Sequence, residues 1–344
     1  MKLSNKKLKN GTVSNGVKKI LIFLFVILLI VLGLVIYPNL VFSPIDTSLP
    51  ETSEDTKTSD EIDLIFVGDI MLDRNVKNKI NSVGNGDYKF PFLLLANELN
   101  SADITIGNLE TTISERGYPT RELYLFRSSP DSVKGLTYAG FDVLSVANNH
   151  SNDYGRIAFE DTINFLEKAN ITSIGGGMNI SEAYKAKFIE IENTTIAFLA
   201  FSDFAMLIPT KTDSGMATTL DENLMWSSIN EAKEEADIVI VLFHYGDEYE
   251  LKPNERQVIF SRKAIDYGAD LIIGSHPHVI QTTEKYKNGF IAYSLGNFIF
   301  DQDFSEQTMT AGILKVKIKD QKIKSFDLQK AILNDNYQPY LSNS

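Results

Sequence analysis

Read by its hydrophobic and polar positions, the chain divides into stretches of different pattern. From Ile20 to Tyr37 the sequence ILIFLFVILLIVLGLVIY runs eighteen residues without a charge. As a helix rising ~1.5 Å per residue it would span about 27 Å, close to the thickness of a bilayer's hydrocarbon core. Residues 38–61 are rich in Pro, Ser, Thr and acid and lack the apolar periodicity that offsets the entropy of ordering. From residue 62 onward short apolar runs alternate with helical stretches. IDLIFVGD (62–69), FPFLLLANEL (90–99), DITIGN (103–108), PDSVKGLTYAG (130–140) and DVLSVANN (142–149) lead to a predicted helix near 157–169. KFIEIEN and TTIAFLAFSD follow, then a helix near 221–236, DIVIVLFHYGD, a helix near 254–268, and DLIIGSHPH. This alternation predicts an α/β sheet with helices on both faces. The end of the chain differs. GFIAYSLGNFIFD, AGILKVKIK and KIKSFDLQKAIL read as consecutive strands joined by short turns, which predicts a second, partly antiparallel sheet.

The predicted organisation is a basic tail (1–19), an apolar span (20–37), an acidic disordered stalk (38–61), one large domain (62–335) and a C-terminal tail (336–344). Lys18 and Lys19 precede the span, with Lys2, Lys6, Lys7 and Lys9 upstream. The positive-inside bias then keeps the N-terminus in the cytoplasm. PNLVFSPIDTS, after the span, offers no small-x-small cleavage site, so the span reads as an uncleaved single-pass membrane anchor with the domain outside the cell.

Charge and composition narrow the chemistry. The formal net charge is −12, and residues 62–344 hold 26 basic against 39 acidic side chains. Such a surface repels a phosphate backbone, so nucleic acid is excluded as an expected partner. The chain has no cysteine, which excludes a disulfide framework, a zinc–thiolate site, an iron–sulfur cluster and a cysteine nucleophile.

The four histidines are His150, His244, His276 and His278, and each follows an apolar, strand-like run. Asp69 does the same after LIFVG, and Asn108 and Glu110 after ITIG. In open α/β sheets ligands bind in the crevice beyond the carboxyl ends of the strands. Five strands thus deliver Asp, Asn/Glu, Asn/His, His and His-x-His to one rim. Each residue alone reads equally as a helix cap or a turn, and NDYG (152–155) is of that kind. The set together points to a site. Imidazole, carboxylate and amide oxygen suit borderline divalent metals such as Zn, Mn or Fe. His276 and His278, two apart in an extended segment, would point the same way and could serve two neighbouring ions, with Asp69 or Glu110 as a bridge. His150, next to Asn149, is a candidate proton donor to a leaving group. No G-x-S-x-G elbow appears.

GDIMLDR (68–74), GNLETTI (107–113), ANNHSNDYG (147–155), HYGDEY (244–249), GSHPHVIQ (274–281) and YSLGNFIFDQ (293–302) closely resemble the bacterial capsule-synthesis family CapA. Its members are also called poly-gamma-glutamate biosynthesis proteins. That family resembles a divergent branch of the calcineurin-like metallophosphoesterases. The resemblance implies a four-layer α/β/β/α sandwich and a site for two divalent metal ions. It implies Asp69, Glu110, Asn149, His244, His276 and His278 as ligands, with Asp69, Asn149 and His150 at the chemistry. Arg74, Glu248, Tyr249 and Asn297 fall in the same motifs and are expected around a substrate. Met71 stands where the wider phosphoesterase pattern has a histidine, so one ion would lose a ligand. The implied partners are an anionic extracellular polymer, poly-gamma-glutamate or similar, the membrane, and other capsule-synthesis subunits. A metal-dependent hydrolase and a non-catalytic polymer-binding assembly subunit are both compatible with these residues, and an adhesion module without metal is a third reading. Arg116, Arg121 and Arg127 are candidates for a basic patch that would attract the polymer.

Overall fold

The apolar run after residue 60 forms a central strand, β1 (Glu61–Ile70), buried along nearly its whole length. A strand covered on both faces needs a continuous apolar run and not an alternating one. The computed structural model describes residues 61–341. The basic tail 1–19, the expected membrane span 20–37, the stalk up to residue 60 and residues 342–344 lie outside the described residues. Among the described residues no helix is long and apolar enough to cross a membrane.

The chain builds part of one sheet, then a second, and returns to the first. β1, β2 (Ile104–Leu109), β3 (Val143–Ser145) and β4 (Thr172–Ile174) are parallel neighbours in sheet one. β5 (Lys187–Ile191), β6 (Thr194–Ser202), β7 (Ile238–His244), β8 (Leu271–Ser275), β9 (Thr283–Tyr286) and β10 (Gly289–Ala292) form sheet two, in the order β9-β10-β8-β7-β6-β5. β11 (Asn297–Ile299), β12 (Thr310–Lys319), β13 (Lys322–Leu333) and β14 (Pro339–Leu341) rejoin sheet one. Its order is β14-β13-β12-β1-β2-β3-β4. β12 pairs antiparallel with β1 as far as Val67, and β11 takes over that edge at Asp69.

The C-terminal strands therefore do not make a sheet of their own. Gly289–Ala292 joins sheet two, and everything from Asn297 onward extends sheet one. Apolar alternation marks a strand but not the edge that accepts it. The expected end of the domain at residue 335 also moves outward, because Pro339–Leu341 pairs with Ala331–Leu333. At the other end Glu61, assigned to the stalk, already belongs to β1.

Alternation in β7 shows how the layers form. Ile238, Ile240 and Leu242 join the core shared with sheet one. Val239, Val241 and Phe243 pack instead with residues of helices α4 (Glu222–Glu235) and α5 (Glu255–Asp266). On the far side of sheet one the same shared core takes in Val76, Leu136 and Phe159 from α1 (Arg74–Ser82), α2 (Ser132–Tyr138) and α3 (Arg156–Lys168). Helices, sheet, sheet, helices: the fold is α/β in four layers. Local signals agree with it. Asn254 and Gln257 form a reciprocal capping box at the start of α5, which satisfies two amide groups that a helix N-terminus otherwise leaves open.

Candidate functional site

The polar residues at the strand ends meet on one rim. Register sets Asp69 beside both Asn108 and Asn297, and His244 beside Ser275. Two carboxylates, Asp69 and Glu110, are fully buried there, an arrangement that is costly without partners. Asp69 Oδ1 accepts from Asn108 Nδ2 at 2.8 Å, and Oδ2 accepts from the backbone N of His276 at 3.2 Å. Burial works to raise the Asp69 carboxyl, but its hydrogen bond to His278 and that ring's charge outweigh it and hold it below the ordinary range. Glu110 goes the other way. Burial, and then the Asp69 charge, push it well above its ordinary value.

Two polar atoms at this centre are buried and have no hydrogen-bond partner, Glu110 Oε1 and His276 Nδ1. Such orphans in a native interior need a reason. His278 Nε2 and His150 Nε2 each lie 3.8 Å from Glu110 Oε1. Asn297 Oδ1 accepts from His278 Nδ1 at 2.9 Å, so the lone pair of that ring sits on Nε2, toward Glu110. Asp69, Glu110 and His278 form one group whose ligand atoms lie within 4.8 Å of one another, and Glu248, His276 and His278 form a second. Burial and the neighbouring His278 pull His276 down to about 3, leaving it neutral, the state a metal ligand needs. The donor set and its orphaned atoms fit a divalent cation.

The approach of the two histidines differs from the extended segment expected of them. β8 ends at Ser275, and His276 (φ 97°) and His278 (φ 59°) both take left-handed backbone, as do Arg74 (φ 50°) and Tyr249 (φ 66°). That region is disfavoured for residues with a Cβ. Four such residues around one site mark strain held by the surrounding fold. The rings of His276 and His278 nonetheless converge, 5.8 Å apart.

The other expected residues take distinct places. His244 Nε2 lies 2.8 Å from Asn149 Oδ1, and burial holds this ring well below its ordinary value, with the neighbouring imidazoles adding to the effect. Asn297, expected at a substrate, is fully buried behind His278. Its Nδ2 donates to Gln302 Oε1 and Thr308 O, both at 3.0 Å. Glu248, also expected at a substrate, lines the cleft and stands within reach of His276 and His278 as well. His150 stacks on Phe126 at 3.9 Å, and Asp153 Oδ2 accepts from its Nδ1 at 2.8 Å. Nε2 is thereby turned toward Glu110. Asp153, read from sequence as turn chemistry, is thus the group that orients the ring. Its contact to His150 lies three residues along the chain, a spacing shared with ordinary turns, so sequence alone carried no separate signal for it.

Beside the cluster opens a cleft of about 320 Å³ lined by His150, His278, Arg74, Glu248, Tyr124 and Tyr249, among others. Arg74 Nε lies 3.2 Å from Asp301 Oδ2, and its guanidinium sits 5.5 Å over the Phe126 ring. The Tyr249 hydroxyl accepts from Gln302 Nε2 at 3.1 Å, and burial followed by the Glu248 charge pushes its phenol up. The basic patch expected of Arg116, Arg121 and Arg127 is largely spent elsewhere. Arg116 pairs with Asp161. Arg127 lies 3.4 Å over the Tyr154 ring and donates to Gly117 O. Met71 is buried in the core, its sulfur accepting from the Asp73 amide.

The sequence model of the family described as "Bacterial capsule synthesis protein PGA_cap" matches residues 63–302. The chain belongs to this family. It is 35% identical over 269 residues to the PGA biosynthesis protein CapA of Bacillus subtilis (strain 168), covering 77% of this chain and 70% of that protein. It is 33% identical over 274 residues to the capsule biosynthesis protein CapA of Bacillus anthracis, covering 77% of this chain and 66% of that protein. The match thus spans about two thirds of these relatives. A hypothetical protein from Thermus thermophilus shares the fold, with a TM-score of 0.50 at 14% identity, over 78% of this chain and 98% of that one. The PGA_cap match ends at residue 302, just past the cleft residue Asp301 and on Gln302, so it takes in both candidate ligand groups and most of the cleft wall.

Proposed function

We propose that this chain is a membrane-anchored capsule-polymer protein that holds a divalent cation (Mn, Zn or Fe) at Asp69, Glu110 and His278 and acts outside the cell on poly-gamma-glutamate or a similar anionic polymer. The observation that carries this is the pair of buried polar atoms without a hydrogen-bond partner, Glu110 Oε1 and His276 Nδ1, next to His150 and His278, which line an open cleft. The names of the two Bacillus relatives, for PGA and capsule biosynthesis, support the pathway. A cation at this place would supply Lewis acidity and an activated water. The chain's own groups do the rest. His150, fixed by Asp153 and Phe126, holds a proton at Nε2 for a leaving group. The Arg74 guanidinium faces the cleft and meets a polymer carboxylate. Asn297 keeps the His278 ring turned so that Nε2 is toward Glu110 Oε1, free to help hold a cation there. The domain's negative charge repels a polyanion at long range, so attraction must be local, from the cation and Arg74.

A second reading, a polymer-holding subunit of a capsule-synthesis complex without turnover, draws support from Met71, which is buried in the core and offers the site no ligand. One experiment separates the two. Full-length chain is dialysed against Mn²⁺ or Zn²⁺, its metal content measured by mass spectrometry, and poly-gamma-glutamate length followed on gels, beside the His276→Ala/His278→Ala variant. Bound ion and polymer shortening, both lost in the variant, are expected. Polymer retention without shortening would move the conclusion to the holding role, and absence of bound ion would overturn the cation centre.

Asp153→Asn is expected to lower polymer shortening about tenfold to hundredfold, as loss of a ring-orienting partner does, while leaving metal content unchanged. Unaltered turnover in that variant would show that the His150 ring is held by Phe126 alone.

A further inference from the structure

The amides around the cluster are oriented by backbone groups, and that orientation has a consequence for how many cations the site admits. Asn148 is pinned at both ends. Its Nδ2 donates to the Leu109 carbonyl at 2.9 Å, and its Oδ1 accepts from the His150 backbone N at 3.1 Å. A carbonyl can only accept and an amide N–H only donate, so this side chain cannot turn over without losing both bonds. The same Nδ2 lies 3.2 Å from Asn108 Oδ1, which fixes Asn108 in turn. Asn108 Nδ2 is then a locked donor, 2.8 Å from Asp69 Oδ1, 3.2 Å from Glu110 Oε2 and 3.3 Å from His244 Nδ1.

The relay ends on His244. Its Nδ1 faces that locked donor and, at 3.0 Å, the Ser275 hydroxyl. Its Nε2 faces an acceptor, Asn149 Oδ1, at 2.8 Å. With Asn149 turned as it stands, both ring nitrogens are satisfied when Nδ1 accepts and Nε2 carries the hydrogen. For His244 Nε2 to ligate a cation, the hydrogen must move to Nδ1, where it would face the Asn108 NH₂ group at 3.3 Å and would need the Ser275 hydroxyl, at 3.0 Å, as its acceptor. His278 is common to both candidate ligand groups, and its one lone pair, on Nε2, serves a single ion.

We infer that the site admits one cation, held through His278, and that the position expected between Asn149 and His244 is closed by the Asn148–Asn108 amide relay, with His244 a hydrogen-bonding residue and not a ligand. This rests on the cation centre proposed above and goes beyond it in stoichiometry and in the role of His244.

The test counts ions and reads the tautomer separately. Full-length chain equilibrated with excess Mn²⁺ or Zn²⁺ is expected to bind one ion, and Asn108→Asp, which turns the locked donor into an acceptor, two. Nitrogen-15 NMR of histidine-labelled chain, with four rings assigned by single substitution, is expected to show the Nε2–H tautomer for His244 with and without metal. Two ions in the wild type, falling to one in His244→Ala, would overturn the inference, as would an Nδ1–H tautomer. No ion in either chain would sink the cation centre itself, and the NMR reading would still decide the tautomer.

Discussion

Glu110→Gln is expected to stabilise the cation-free chain at neutral pH by about 1–3 kcal/mol, the usual cost of a buried unsatisfied acceptor, while abolishing cation binding. The Glu110 carboxyl is fully buried, stands beside Asp69 and has one oxygen without a partner. Its folded value lies well above the ordinary 4.5, so the folded chain binds this proton more tightly than the unfolded chain does. The stability it contributes is whole below pH 4.5 and drains away as pH climbs through the raised folded value. Asp69 does not mask this in the same window. Its folded value is depressed below 3.8, so its contribution is held above that and lost only as pH falls further. Glutamine keeps the oxygen that accepts from Asn108 Nδ2 and replaces the orphaned one with an uncharged NH₂. Urea unfolding of chelator-treated full-length chains at about pH 5 and pH 8 checks this. The gap between variant and wild type is expected to widen toward the alkaline end, and adding Mn²⁺ or Zn²⁺ should raise the wild type alone. A variant no more stable than wild type at the alkaline end would mean that the carboxylate is solvated and not stranded.

The second large effect lies one residue before Asp69. An alanine Cβ at Gly68 would stand 1.8 Å from the Gly296 carbonyl oxygen and 2.9 Å from its carbon. These are backbone atoms and cannot swing aside. The same carbonyl accepts from the Asp69 amide at 3.0 Å, so the close approach of Gly68 to Gly296 is what seats β11 against β1 and Asn297 opposite Asp69. Gly68→Ala is expected to cost about 3 kcal/mol or more, at or beyond the upper end of overpacking penalties, and to weaken cation binding along with stability. Gly86→Ala is the control. Its backbone, unlike that of Gly68, is left-handed (φ 81°), and nothing lies within 4 Å of the added methyl, so only the ~1–2 kcal/mol of the conformation itself is lost. Equal urea midpoints for the two variants would show that the β1–β11 contact yields easily.

Much of the site is legible without coordinates because it obeys local rules. Strand ends in an α/β sheet share one rim, so Asp69, Glu110, His244, His276 and His278 could be gathered from the ends of their apolar runs alone. The side on which each residue works is a different matter. Asn297 and Glu248 sit in motifs of equal clarity, yet one is buried behind His278 and the other reaches the ligand group. Arg116 and Arg127 read as a patch and are occupied by Asp161 and Tyr154, partners far along the chain from either arginine.

The sequence by itself determined the strand–helix alternation, the acidic domain without cysteine, the set of polar residues bound for one rim and the family motifs from residue 68 to 302. Apolar period and strand-end placement are properties of neighbouring residues, so they survive in one dimension. Only the tertiary structure decided which sheet the last strands join, which way the Asn148 and Asn108 amides face and that Asp153 steers His150. Edges, amide orientations and ring tautomers are set by hydrogen-bond partners that the fold brings together, often from a distant strand, and no local pattern encodes which partner arrives.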